Sequence, residues 1–184
     1  MNNNRENETI HTLKKEDYKI PKSITVICLG NICRSPVGEY LLRAYAMHSV
    51  CPEIWNIEFD SAGIEGGFLS LNQLSAEYLE EKGINCSKFH SKKINRQYLD
   101  RFDLILVMED YMKEEIIQNY YDSLKEDEIN KIRNKIKTLK EIVGKKGDIE
   151  DPYGQDRWTY RTILGEIDYL CKRFIQKLEK QILG

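Results

Sequence analysis

The sequence predicts an α/β protein in which helices cover both faces of a doubly wound parallel sheet. Three short segments are apolar at consecutive positions and rich in β-branched residues, which is typical of strands buried on both faces. Helical stretches separate these segments, and such an alternation favours a parallel sheet. The 184 residues have the length of one ordinary domain, and no internal repeat divides them. In folds of this class ligands bind beyond the carboxyl ends of the strands, so functional residues are expected in the loops there.

The first predicted strand lies at residues 23–28 and passes almost directly into a helix. Its sequence, SITVIC, is rich in β-branched residues, and Gly30 and Asn31 end it. Ser35 belongs to the residue types that cap helix N-termini, and Pro36 suits the first helical position. A short loop is therefore expected between this strand and this helix.

The remaining elements are predicted from apolar runs and from helical periodicity. A second strand is expected at 55–61, a helix at 74–81 that ends at Gly83, and a third strand at 104–108. From residue 163 to 182 apolar side chains recur at helical spacing, which predicts a long amphipathic helix packed on the sheet.

Composition and charge narrow the classes of partner. The chain has 28 Lys and Arg against 30 Asp and Glu, a formal net charge of −2 at pH 7, so neither nucleic acid nor an anionic membrane surface is an expected partner. No apolar run approaches the roughly 18 residues that a membrane span needs. Residues 1–22 are too polar for a secretory signal. We therefore predict a cytoplasmic protein with a flexible extension at 1–22 and one domain at 23–184.

The stretch 125–146 is highly charged, and 136–139 within it is a candidate fourth strand.

The five cysteines fit neither a disulfide framework nor a zinc site. Their number is odd, their spacing is irregular, and no Cys-x-x-Cys pair occurs. Free thiols or a catalytic thiol are the better interpretation, and no metal is expected.

The strongest local feature is the segment CLGNICRSP at residues 28–36, where a strand passes into a helix. A loop before a helix N-terminus directs several backbone N–H groups inward and the helix dipole adds positive potential, so this loop predicts an anion-binding cradle. The guanidinium of Arg34 can bind two oxygens of a tetrahedral oxyanion at once. The same field favours the thiolate form of Cys28, and a hydrogen bond from Ser35 would support it. Cys28 is therefore a candidate nucleophile.

A candidate proton donor lies near the carboxyl end of the chain. In the segment EDPYG at 150–154, Pro152 holds the backbone of Asp151 extended, which directs the carboxyl group outward. Phosphoryl transfer to a thiolate needs an acid that protonates the departing oxygen, and Asp151 is suited to that role. Tyr153 is suited to line a slot for an aromatic substrate. Taken alone, the segment is simply typical of a turn.

Together the two motifs resemble the low-molecular-weight protein tyrosine phosphatases. The order of the motifs is informative, since in this family the nucleophile comes first and the acid lies close to the C-terminus. DSAG at 60–63 and FDLILVM at 102–108 also resemble family segments, so the similarity covers roughly residues 23–180. The resemblance implies a four-stranded parallel sheet, a phosphate-binding loop after strand 1, and a phosphatase that needs neither a metal nor another cofactor.

The resemblance also implies roles for single residues. Cys28 would be the nucleophile, Arg34 the phosphate clamp and Asp151 the general acid. The residues expected to hold the loop by hydrogen bonds are Asn31, Ser35, Ser61 and His90. The phosphate-binding loop itself would comprise Leu29, Gly30, Asn31, Ile32, Cys33, Arg34 and Ser35. Ile32 and Tyr153 would line the substrate slot, and Cys33 would form a protective disulfide with the nucleophile under oxidation.

Two departures from the family pattern concern the substrate slot. Gly154 stands where a second tyrosine is commoner, which makes one wall of the slot lighter. Phe68 stands one position later than the usual aromatic residue. Both changes affect the expected substrate preference and leave the expected phosphoryl chemistry unaltered.

The implied activity is hydrolysis of phosphotyrosine on proteins, with phosphate or other tetrahedral oxyanions as product or inhibitor. A protein-arginine phosphatase is the nearer alternative. In that branch of the family a threonine stands at the position of Ile32, whose branched apolar side chain favours a flat aromatic ring.

Two further classes share the fold or the cradle. A thiol-linked arsenate reductase needs relay cysteines near the loop after the third strand, and residues 104–121 contain none. A phosphate-binding module without activity would be expected to lack Cys28, Arg34 or Asp151, and all three are present.

Overall fold

The computed structural model describes residues 20–67 and 69–184, which fold around a four-stranded, all-parallel sheet in the order β2-β1-β3-β4. The strands are β1 (Ser23–Cys28), β2 (Glu58–Gly63), β3 (Leu104–Val107) and β4 (Ile136–Thr138). All six residues of β1 are buried. Because successive side chains of a strand point to opposite faces, both faces of the sheet must be covered at this strand. The predicted doubly wound α/β fold is confirmed.

Seven helices and one 3₁₀ turn surround the sheet in the described part of the chain. They are α1 (Arg34–Met47), α2 (Pro52–Trp55), α3 (Gln73–Glu80), α4 (Arg96–Asp100), α5 (Tyr111–Tyr121), α6 (Glu126–Lys135), the 3₁₀ turn (Glu141–Val143) and α7 (Arg157–Leu183). Helix α1 packs against α7 and against both β1 and β2. No helix in the described ranges is both long enough and apolar enough to cross a membrane.

The first strand agrees with its prediction, whereas the second strand and the start of α1 do not. Strand β2 begins at Glu58, three residues later than expected, because Pro52–Trp55 forms a short helix with proline in its first turn. Helix α1 begins at Arg34, and its N-cap residue is Cys33, which makes no side-chain capping bond. The predicted cap by Ser35 is wrong, since the hydroxyl of Ser35 is used inside the loop, as described below.

Other differences follow from local composition. Helix α7 begins six residues before the predicted apolar stripe, because the side chain of Asp156 caps it by accepting bonds from Trp158 N and Thr159 N. The charged stretch 125–146 contains α6, which buries no residue fully. Its two apolar residues, Ile129 and Ile132, are partly buried against the core, and two positions are too few to stand out as a helical stripe in so charged a sequence. The candidate fourth strand is confirmed as β4, one residue shorter than predicted. The predicted extension at 1–22 falls outside the described residues up to position 19, as does Phe68.

The order of the strands positions the functional loops. Strand β1 lies between β2 and β3, so the chain leaves it toward one side and later returns to the other. Ligand sites of open α/β sheets lie at such a reversal, beyond the carboxyl ends of the strands. The carboxyl end of β1 is Cys28, and β3 ends two residues before Glu109.

Candidate active site

The loop between β1 and α1 forms a concave cradle. Its first residue, Cys28, is 2% exposed. Asn31, at the centre of the loop, has φ 53 and is fully buried. Asparagine is one of the few residues besides glycine that adopts this left-handed conformation readily, so the sequence permits the sharp reversal here.

Neighbouring backbone anchors the outside of the cradle. The carbonyl oxygens of Cys28 and Leu29 accept bonds from Ile64 N at 3.1 Å and Glu65 N at 2.9 Å, and the carbonyl of Ile32 accepts from Asn72 N at 2.9 Å. In a trans peptide the N–H points opposite to the carbonyl. Because these carbonyls point outward, the N–H groups that share their peptides point into the loop, as an anion site requires.

A buried polar network fixes the shape of the loop. Asn31 Nδ2 donates to Ser35 Oγ at 2.9 Å and to Ser61 Oγ at 3.0 Å. Ser35 Oγ lies 3.0 Å from Cys28 Sγ, so its hydroxyl proton can be donated to the sulfur. The structure therefore brings together Asn31, Ser35 and Ser61, three of the four residues expected to hold the loop.

The fourth expected residue, His90, is not in this network. Its side chain is exposed, and no hydrogen bond from it to the loop occurs within the described residues. The backbone N–H of Lys92 donates to Asn31 Oδ1 at 2.8 Å instead. A backbone donor thus takes the place that the prediction gave to a side chain, and the role assigned to His90 has to be corrected.

Glu39, which was not predicted as a site residue, completes the network. Ser61 Oγ donates to Glu39 Oε2 at 2.6 Å, and Arg43 Nη2 donates to Glu39 Oε1 at 2.7 Å. Burial raises the pKa of the Glu39 carboxyl, while the bonds from Ser61 and Arg43 oppose that rise. The available signal was the i,i+4 spacing of Glu39 and Arg43, which is also typical of an ordinary solvent-exposed helix pair.

The Arg34 side chain lies beneath the cradle and is 1% exposed. Its Nη1 donates to Glu109 Oε1 at 2.6 Å and to Ile149 O at 2.7 Å, and its Nη2 donates to Asp151 Oδ2 at 2.7 Å. Burial alone would lower the pKa of this guanidinium, but Cys28, Glu109 and Asp151 together raise it. Glu109 was not predicted as a site residue. Its position just beyond the end of an apolar strand could have indicated it, because ligand sites of such sheets lie there.

One donor of Arg34 has no partner. Its Nε is buried and makes no hydrogen bond to any described residue. A buried N–H without an acceptor costs about 1–3 kcal/mol, so native proteins rarely leave one unpaired without a functional reason. An oxyanion held in the cradle would supply the missing acceptor.

The cradle opens into a cavity of about 230 Å³. Its lining consists of Cys28, Leu29, Gly30, Ile32, Cys33, Arg34, Glu65, Asp151 and Tyr153. The three predicted chemical groups therefore meet in one cavity, and both predicted slot walls line it. Glu65 was not foreseen. A larger cavity of about 490 Å³, bounded by β3, β4 and α7, has no cysteine, serine or threonine among the described residues that line it.

Asp151 lies at the rim in a tight turn. Its Oδ1 accepts a bond from Tyr153 N at 3.1 Å, while Oδ2 pairs with Arg34. Gln155 N bonds to Pro152 O at 3.0 Å, and Gly154 has φ 78. This turn requires glycine at the left-handed position, which explains why the motif continues with Gly154 where a tyrosine is commoner.

Cys33 is the second thiol of the cavity and is 4% exposed. Burial raises its pKa from the usual 9.0 to about 11, so it is a neutral thiol at physiological pH. All five cysteines of the chain are buried and free. Within the described residues no group of three or more His, Cys, Asp or Glu side chains has an arrangement suited to a metal ion.

Comparison with known proteins gives a consistent result. The family model for low molecular weight phosphotyrosine protein phosphatase matches residues 23–183. A protein-arginine-phosphatase of Geobacillus stearothermophilus is 29% identical over 88% of this chain and 99% of its own length. The human low molecular weight phosphotyrosine protein phosphatase is 28% identical over 85% of this chain and 95% of its own. The structure of the tyrosine phosphatase Wzb from Escherichia coli K30 in complex with sulphate has a TM-score of 0.71 at 26% identity, covering 86% of this chain and 99% of that one.

Proposed function

Since the chain belongs to the low molecular weight phosphotyrosine protein phosphatase family and is thus a phosphatase, we propose that it hydrolyses phosphotyrosine on proteins. The observation that carries the proposal is the buried Nε of Arg34, which has no acceptor among the described residues and belongs to a side chain that lines the same cavity as Cys28. A buried donor without an acceptor beside a candidate nucleophile is what a phosphoryl site needs.

In the first step the thiolate of Cys28 attacks phosphorus in line. The S–P bond forms as the bond from phosphorus to the tyrosyl oxygen breaks, and the tyrosyl oxygen takes a proton from the carboxyl group of Asp151. The Ser35 hydroxyl, 3.0 Å from the sulfur, stabilises the thiolate before the attack and after its release. Arg34 and the loop amides bind the equatorial oxygens, which carry the charge of the transition state.

Asp151 must change its partner during this step. Its Oδ2 accepts a hydrogen bond from Arg34 Nη2, and an incoming phosphoryl oxygen would use the same donor. A dianion competes better than a single carboxylate for this guanidinium, so it displaces Asp151. The freed carboxyl group then lies at the rim of the cradle, within reach of the departing tyrosyl oxygen.

In the second step a water molecule attacks the cysteinyl-phosphate. Asp151, now a carboxylate, takes the proton from this water, and the S–P bond breaks to return the thiolate of Cys28 and release phosphate. Arg34 and the loop amides hold the phosphoryl oxygens throughout both steps.

The shape of the cavity favours phosphotyrosine. Cys28 is 2% exposed, so a substrate must reach past Ile32 and Tyr153 to meet it. An aromatic ring fills such a slot and packs against Tyr153. Phosphoserine and phosphothreonine are shorter, and their alkoxides are poorer leaving groups.

The test is a comparison of initial rates on matched phosphotyrosine, phosphoserine and phosphoarginine peptides. We expect phosphotyrosine to be preferred over phosphoserine by more than about tenfold, which corresponds to about 1.4 kcal/mol in transition-state stabilisation. Equal rates on these two peptides would contradict the proposal.

Phosphoarginine is the second candidate substrate, and the similarity to the Geobacillus stearothermophilus protein-arginine-phosphatase favours it. The apolar side chain of Ile32 argues against it, because a charged guanidinium gains nothing from an apolar wall. Ile32→Thr should therefore raise hydrolysis of phosphoarginine relative to phosphotyrosine. A preference for phosphoarginine in the unmodified protein would replace the tyrosine proposal.

The cellular setting is part of the proposal. The five buried, free thiols suit a reducing compartment, and we place the enzyme in the cytoplasm on that ground.

A further inference from the structure

Glu65 is an acidic residue in the lining of a cavity built for an anion. Its backbone N–H donates to Leu29 O at 2.9 Å, so the residue is joined directly to the cradle. The glycines on either side of it fit closely: a Cβ added at Gly63 would lie 2.6 Å from Leu29 O, and one at Gly66 would lie 2.3 Å from Lys92 O. The segment 63–66 therefore lies tightly on neighbouring backbone, and the side chain of Glu65 starts from a fixed position beside the cavity.

The carboxylate of Glu65 has no counter-charge in the described part of the chain. It forms neither a hydrogen bond nor an ion pair there, whereas Lys92 on the adjacent segment is paired with Asp60. Arg34 is the one cation among the described residues that line the cavity, and it is already bound by Glu109 and Asp151. Nothing in the lining balances the charge of Glu65.

An unbalanced carboxylate beside a phosphate site affects the choice of substrate. It repels an acidic group that enters together with the phosphate and attracts a cationic one. Tyr153 lines the same cavity and is 66% exposed, so its ring is open to stacking by a guanidinium or an ammonium. The carboxylate and the aromatic ring together favour a basic side chain at the mouth of the cavity.

We infer that Glu65 is a specificity residue that selects phosphotyrosines flanked by lysine or arginine. The inference rests on the proposed function, because it takes the phosphoryl group of tyrosine as the group bound in the cradle. It narrows the substrate class from phosphotyrosyl proteins in general to those with basic residues next to the phosphotyrosine.

The test uses three phosphotyrosyl peptides that differ only in the two residues flanking the phosphotyrosine, which are both Lys, both Gln or both Glu. The quantity measured is kcat/KM for each peptide. We expect the unmodified protein to prefer the Lys peptide over the Gln peptide by about two- to fivefold, the range that one exposed ion pair supplies, and to disfavour the Glu peptide. The preference should shrink as salt is added.

Two substitutions of Glu65 test whether the preference for the Lys peptide comes from this residue. Glu65→Gln should bring the ratio of kcat/KM for the Lys peptide to kcat/KM for the Gln peptide close to one. Glu65→Lys should reverse the order, so that the Glu peptide has the highest kcat/KM. The matched control is Glu53→Gln, which removes the same charge from an exposed position in α2 and should keep both the ratio and the basal rate. A Glu65→Gln protein with the unmodified ratio, or an unmodified protein without any preference, would overturn the inference.

The outcomes separate the inference from the proposed function. Rapid hydrolysis of all three phosphotyrosyl peptides at equal rates removes the role of Glu65 and leaves the phosphotyrosine activity standing. Failure to hydrolyse any of them, with activity on a phosphoarginine peptide, removes both.

Discussion

At the scale of single residues, the donors of Arg34 have different roles. Nη1 is held by Glu109 and Ile149 O, away from the cavity, and Nη2 is shared with Asp151. Nε has no hydrogen-bond partner among residues 20–67 and 69–184. This division keeps the guanidinium plane fixed while leaving one edge for an oxyanion, an arrangement that the single ammonium of lysine cannot reproduce.

Asp151→Asn tests the proton donor. An asparagine retains the size and the hydrogen bonds of the turn but cannot protonate a leaving group. We expect hydrolysis of aryl phosphates with poor leaving groups to slow by about 10² to 10⁴, and that of activated aryl phosphates to slow less. Initial rates across a series of aryl phosphates measure how this loss depends on the pKa of the leaving group. A uniform loss across the series would mean that Asp151 only maintains structure.

Cys33 is expected to protect the nucleophile from oxidation. It is buried in the same short loop and lines the same cavity as Cys28, so a sulfenic acid formed at Cys28 can condense with it to a disulfide and release water. Peroxide treatment followed by thiol should therefore restore activity, and Cys33→Ser should lose that recovery. Mass spectrometry of the treated protein supplies the decisive result: sulfinic or sulfonic Cys28 without any linkage to Cys33 would contradict the prediction.

At the scale of elements, the cradle depends on the segment that follows β2. The register of β1 and β2 pairs Val26 with Ser61 and Cys28 with Gly63, which brings Ser61 beneath the loop. Glycines at 63 and 66 then allow this segment to lie directly on neighbouring backbone. The shape of the active loop is thus set by a strand 30 residues further along the chain.

Gly66→Ala tests this dependence. The added Cβ would lie 2.3 Å from the carbonyl oxygen of Lys92, so one backbone segment must move. Because Lys92 N also supports Asn31, we expect a loss of about 1–3 kcal/mol in the free energy of unfolding, together with a lower kcat/KM. Urea unfolding and initial rates provide the two measurements. Gly67→Ala is the matched control, since a Cβ there meets nothing within 4 Å, and equal effects of both substitutions would contradict the argument.

At the scale of the whole molecule, buried cysteine thiols make the free energy of unfolding depend on pH in the alkaline range. Burial raises the pKa of Cys33 to about 11, and it also raises the pKa of Cys86 and of Cys171. The folded chain keeps these protons at pH values where the unfolded chain has released them. The stability contributed by such groups is complete below pH 9 and is lost as pH rises toward 11 and beyond.

We therefore expect the thermal unfolding midpoint to fall progressively above pH 9, the ordinary pKa of these thiols. Calorimetry or circular dichroism between neutral pH and pH 11 measures the fall. Cys33→Ser should show a shallower fall over the same interval, because one titrating group is removed. A midpoint that stays constant through the interval would show that the burial of these thiols has no thermodynamic consequence.

The sequence by itself determined the features that are local in the chain. Strand β1 was predicted from six consecutive residues, and the cradle from the nine residues at 28–36. Asn31 tolerates the left-handed conformation that the loop needs. Asp151 was predicted as the acid only by combining its segment with the cysteine loop, because that segment alone is typical of a turn.

Only the tertiary structure decided which distant groups serve those local features. Arg34 is bound by Glu109, 75 residues away, and by Asp151, 117 residues away. Glu39 and the backbone of Lys92 entered the loop network without being predicted, while His90 stayed outside it. The physical reason is that any buried donor or acceptor must be satisfied by whatever group the packing of strands and helices brings within about 3 Å, and residue type alone does not encode that packing.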